Sequence, residues 1–161
     1  METKSLEETL TSQIHLFEEL HALLEQETGE LAKMNLEAMA EIHRQKEELS
    51  ERIEAHSNSI LQEISAIAPK LGVASDATVG MVAAAIGKKN ELLRLRRKLT
   101  LAAQRVQETN AVNGTISERF IKTANMALGF LSSVVNRSSV YGATGGYVPR
   151  SSVSVMFNRE A

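Results

Sequence analysis

From residue 88 to residue 136 the chain keeps a single seven-residue register. Leu92, Leu99, Val106, Asn113, Phe120, Ala127 and Val134 recur at one position, and Leu95, Ala102, Thr109, Ile116, Thr123 and Phe130 fall three residues further on. Apolar residues spaced alternately by three and four form one stripe of an α-helix, and so long a stripe needs partner helices to cover it.

Two earlier segments supply matching stripes. Residues 5–33 begin at Ser5, which reads as an N-cap with Glu8 at the capping-box position. They carry Leu10, Phe17, Leu24 and Leu31 on one seam position and Leu6, Leu20 and Met34 on the other, interrupted by Gln13 and Glu27. Asn35 can cap the next segment, with Gly29 loosening the turn before it. Residues 36–67 then place Met39, Ile53, Ile60 and Ile67 on one position and Ile42 and Leu49 on the other, with Lys46 and His56 as polar members. A polar side chain in such a seam sets register at some cost in stability. Ala68-Pro69 closes the segment, because the residue before proline is biased out of the α region.

After a turn at 70–76, residues 77–86 read as a short helix whose Ala83, Ala84 and Ala85 suit close approach to a neighbour. Gly80 and Gly87 weaken it, each by about 1 kcal/mol relative to alanine in a helix interior. The pattern leaves open whether this helix stands alone or runs into residues 88–136. The expected fold is all-α, an antiparallel bundle of long helices over residues 1–136, followed by a flexible tail at 137–161. In that tail the periodicity vanishes among serines, glycines and a proline. Alternating Val153, Val155 and Phe157 could add a short strand to a partner sheet.

Composition excludes several classes of chemistry. The chain has no cysteine, so disulfide, cysteine-zinc and thiol redox sites are ruled out. His15, His21, His43 and His56 never pair at helical spacing, and a histidine with one nearby glutamate is too few ligands for a metal site. No nucleophile elbow, P-loop or dinucleotide fingerprint occurs, and the glycine-rich stretch 142–146 has neither a lysine nor a helix after it. We therefore expect no catalytic residue, no cofactor, no metal and no enzymatic activity. No apolar signal core follows Met1, and the apolar run at 79–86 is far short of the ~20 residues that span a bilayer. The expectation is a soluble cytoplasmic protein without membrane insertion.

Charge is divided along the chain: residues 1–70 hold 6 basic and 15 acidic side chains, residues 71–161 hold 12 and 5. The simplest use of the basic cluster Lys88, Lys89, Arg94, Arg96, Arg97 and Lys98 is salt bridging to the acidic helices. As a nucleic-acid site the cluster lacks interleaved aromatics, so no nucleic-acid partner is expected.

The end of the long helix is more apolar than one seam explains. Beside Phe120, Ala127, Phe130 and Val134 runs a second stripe of Ile121, Ala124, Leu128, Leu131 and Val135. Together they make an arc of roughly 180°, against about 100° for a helix with one buried face. Such an arc suits either a middle helix with two neighbours or a surface that receives a partner helix.

Three stretches resemble the FlgN family of flagellar type III export chaperones. They are Leu16-Phe17-Glu18-Glu19-Leu20 with Leu23-Leu24 and the following Asn35-Leu36-Glu37-Ala38-Met39, Lys46 and Leu49; Asn110-Ala111-Val112-Asn113; and Val140-Tyr141-Gly142-Ala143-Thr144-Gly145. The resemblance implies a chaperone that binds the C-terminal helical regions of hook-associated (hook-filament junction) proteins in the cytoplasm and delivers them to the export gate. Client binding would map onto Phe120, Ile121, Ala124, Ala127, Leu128, Phe130, Leu131, Val134 and Val135, and docking to the export-gate protein FlhA onto Tyr141 and Gly142. After Gly145 the tail departs from the family in its serine and valine content. The alternative is a structural coiled-coil adaptor that self-associates, with a weak homo-oligomer formed through the same seams; an anion-binding basic module ranks third.

Overall fold

The computed structural model describes residues 3–87 and 91–138, and every regular element among them is helical. Helix α1 spans Lys4–Lys33, α2 Leu36–Ile67, α3 Val79–Ile86 and α4 Glu91–Ser138, with a single 3-10 turn at Ala68–Leu71 after α2. Long helices pack side by side, as the seams required.

The start of α1 differs from the sequence expectation. Thr3, not Ser5, is the N-cap residue, and its hydroxyl donates to Glu7 Oε1 at 3.1 Å. Ser5 lies inside the helix, its carbonyl accepting from Thr9 Oγ1, while Glu8 turns towards Lys4 at 3.8 Å instead of closing a capping box. The earlier start winds Leu6 and Leu10 into the core, both at 0% exposure.

Met34 was expected on the seam and is instead the stop signal. It adopts the left-handed conformation at φ 58°, so that its N–H reaches Leu31 O at 3.2 Å and the Asn35 N–H reaches Glu30 O at 3.1 Å. These bonds satisfy carbonyls that the helix end would orphan. Gly29, expected to loosen the turn, is an ordinary helical residue with open space around it. Asn35 caps α2 as its side chain suggested: Oδ1 accepts from Ala38 N–H at 3.2 Å, and Nδ2 donates to Glu30 Oε2 at 2.9 Å. Hydrogen bonds from Lys33 and then Asn35 hold the Glu30 carboxyl below the ordinary carboxylate range.

The tight reversal makes α1 and α2 antiparallel. Thr9 meets Glu63 (2.6 Å), Gln13 meets Ser57 (3.1 Å), Glu19 meets Arg52 (3.5 Å) and Glu27 meets Lys46 (2.9 Å), so one index rises as the other falls. Between them sits one apolar cluster of Leu16, Leu23, Ile42 and Leu49. Nearer the α1 N-terminus a second cluster unites four helices: Leu6, Leu10 and Ile14 of α1, Ile60 and Ile64 of α2, Val82 and Ala83 of α3, Leu92 and Leu95 of α4. Burial of such side chains, at about 1.5–3 kcal/mol each, is the main favourable term.

Helix α3 is separate from α4. Thr78 caps it by accepting from Met81 N–H at 3.3 Å, and Gly87 ends it at φ 132°, a backbone region nearly closed to other residues. Gly80 is tolerated because the Arg96 side chain of α4 packs over it, 3.3 Å from where a Cβ would lie.

The basic cluster does not bridge to the acidic helices among the described residues. Arg94 pairs with Glu91 of its own helix, and this hydrogen-bonded contact lowers the Glu91 carboxyl pKa and raises that of Arg94. The inter-helix ion pairs described, Glu27–Lys46 and Glu19–Arg52, join α1 to α2. The α1–α4 contact is apolar at Leu92 and Leu95, so the cations flanking it stay in solvent, where an exposed pair gains little. Lys88 and Lys89 lie outside the described residues.

The chain divides into two compact units, residues 1–117 and 118–161. All the tertiary packing above belongs to the first.

Candidate functional site

Along α4 the seam changes its surroundings. In the first unit Leu92 is 1% exposed, Leu95 4%, Ala102 9% and Asn113 3%, and Leu99, Val106, Thr109 and Ile116 are half-buried. Asn113 closes this part through a polar cluster that touches all three long helices. Its Nδ2 donates to Leu24 O at 2.9 Å and to Glu27 Oε2 at 2.8 Å, its Oδ1 accepts from Thr28 Oγ1 at 2.6 Å, and Glu27 also takes Lys46 Nζ at 2.9 Å. Both kinds of partner for the amide are present, as a buried polar group requires.

These contacts fix how far α1 can cover α4. The two helices run parallel with an offset of 85 to 89 residues at Asn113, and α1 ends at Lys33.

In the second unit the same helix presents its apolar residues outward. Of the nine expected binding residues, Phe120 is half-buried and the other eight are exposed, among them Leu128 at 61%, Phe130 at 68% and Val135 at 65%. Met126, at 68%, extends this surface beside Phe130 at i,i+4 spacing and was not expected from the seam. Its signal was present in the sequence: residues 123–136 contain no charged side chain, so even the polar face is neutral. Tyr141 and Gly142, expected at the export gate, and the alternating residues 153–157 lie outside the described residues.

The first unit carries a different concavity. Ile60, Leu61 and Ile64 of α2, Leu99 and Ala103 of α4 and Phe17 of α1 line a groove that also has polar members such as Gln13 and Gln104. A smaller cleft between Glu18 and His21 of α1 and Lys98 and Arg105 of α4 lies on its other side. Among the described residues no group of His, Cys, Asp or Glu is arranged to hold a metal ion, and no helix is long and apolar enough to cross a membrane. The exposed face of α4 offers apolar packing surface for another helix.

Comparison with curated proteins and with solved structures gave no match. The family profile described as FlgN protein matches residues 1–149, from the start of α1 through the exposed stripe and past Tyr141. With the four-helix architecture and the outward apolar face of α4, that match over most of the length establishes that the chain belongs to the FlgN family of flagellar type III export chaperones, which bind flagellar substrate proteins.

Proposed function

We propose that this protein holds the C-terminal helical regions of hook-associated proteins in the cytoplasm, on the α4 surface from Phe120 to Val135, and delivers them to the export gate. The observation that carries this reading is an uncharged helical face on which Leu128, Phe130, Leu131, Val134 and Val135 stand about half or more exposed. Contiguous apolar surface on a soluble helix marks an interaction site. A client segment that would otherwise self-associate through its own apolar helix face gains the same burial here, so homotypic contacts give way to heterotypic ones. Tyr141 with Gly142 then serves FlhA as a small amphipathic anchor with few rotamers to order.

Two substitutions separate these roles. Leu128→Asp is expected to weaken capture of a hook-associated C-terminal fragment by about 2 kcal/mol or more, roughly 30-fold in Kd, with far-UV helicity unchanged. Calorimetric titration reads this directly, and unchanged affinity removes the stripe from the client site. Tyr141→Ala should retain client affinity and lose binding to the FlhA cytoplasmic domain. Light scattering decides the adaptor alternative: a homo-oligomer that persists at high salt without client argues against the chaperone reading.

A further inference from the structure

A heptad seam is degenerate with respect to a shift of seven residues, and α4 illustrates the problem. Moved by one heptad, it would place Leu99, Ala102, Val106 and Phe120 where Leu92, Leu95, Leu99 and Asn113 now sit. The first three exchanges keep the apolar pattern, so patterning alone does not exclude the shifted register, although alanine in place of Leu95 and valine in place of Leu99 leave the core less well filled there. The shift is about 10 Å along the helix axis.

We infer that Asn113, through Glu27 and Thr28, is the positioning residue that selects one register of α4 against the α1–α2 pair. In the observed register its amide makes three hydrogen bonds, with Leu24 O, Glu27 Oε2 and Thr28 Oγ1. One heptad away, Leu20 and His21 stand in place of Glu27 and Thr28. The amide then loses its carboxylate, and Glu27 and Lys46 are left facing Phe120. A buried polar group without its partner costs about 1–3 kcal/mol, enough to make the shifted register a minority. A single buried asparagine fixing the register of packed helices is the best-attested use of such a group. Here the register decides where the covered seam ends. The consequence for client capture rests on the proposed function, because a shifted α4 would bury Phe120, the first residue of the stripe.

The chain has no cysteine, so introduced pairs report register cleanly in the full-length protein without client. Glu18 and Arg105 line one cleft, and cysteines at 18 and 105 should link through a short bis-maleimide, whereas cysteines at 18 and 112 should not. Asn113→Leu is expected to raise the monomeric 18–112 product about tenfold, the ratio released when one unpaired buried amide no longer separates the registers. Moving the asparagine, with Asn113→Leu and Phe120→Asn together, should raise the 18–112 product well beyond that of Asn113→Leu alone, an outcome that a merely stabilising role would not produce. An 18–112 yield that stays at the wild-type background in Asn113→Leu, or that relocating the asparagine does not raise further, overturns the inference. Client affinity that stays unchanged while the cross-link pattern shifts as expected would count against the client site and not against Asn113.

Discussion

Gln13 and Glu27 occupy equivalent seam positions in α1, and their surroundings give them opposite effects. Glu27 accepts from Lys46 of α2 and Asn113 of α4, so Glu27→Ala strands a partly buried ammonium and an amide. The expected loss is about 1–3 kcal/mol, read from urea unfolding midpoints. Gln13, 2% exposed, donates to Ile53 O and Ser57 Oγ, but its own Oε1 is buried with no partner. Gln13→Leu removes that orphan while the Ser57 hydroxyl still serves Ile53 O, so it should stabilise by about 1 kcal/mol in the same assay. A third residue reports on pH. Hydrogen bonds from Arg44 and then Gln45 lower the Glu41 carboxyl from 4.5 to about 2. The sign follows: a depressed carboxyl contributes fully above its ordinary range and loses that contribution as pH falls towards 2. Carboxyl NMR should find Glu41 titrating near 2, and Arg44→Ala should return it towards 4.5.

At the level of elements, the helix ends carry the most testable geometry. Met34 holds a left-handed conformation that disfavours any residue with a Cβ. Met34→Gly should therefore stabilise the α1–α2 hairpin by about 0.5–1 kcal/mol, since the side chain is exposed and nothing apolar is lost. Gly87→Ala should do the reverse, costing about 1–3 kcal/mol at φ 132°. Thermal unfolding checks both. The existence and partnership of the long helices were legible because heptad spacing is a direct consequence of 3.6 residues per turn, and Asn35 was legible because its capping bond is local. The end of α1 was not, since a methionine at the left-handed position carries no sequence signal. Nor was the fate of Arg94: spacing shows which face a charge occupies, while whether Glu91 or a neighbouring helix receives it depends on how closely the helices approach.

In the whole molecule the two stretches of α4 differ, with cover for the core up to Ser117 and exposed apolar surface after it. The double apolar arc at 120–135 was visible in the sequence, but whether a neighbouring helix covered it was not. Spacing shows which residues share a face, while cover for that face is a matter of tertiary packing. The charge asymmetry between the halves of the chain likewise proved a property of solvent-facing side chains in the described residues, with ion pairs forming within α4 and between α1 and α2. The most direct test is hydrogen exchange followed by mass spectrometry on the full chain, with and without the C-terminal helical fragment of a hook-associated protein. New protection is expected over residues 118–135 on client addition, with 91–117 already protected and unchanged. Protection that appears instead along the groove between α2 and α4, with 118–135 exchanging as before, would contradict this expectation.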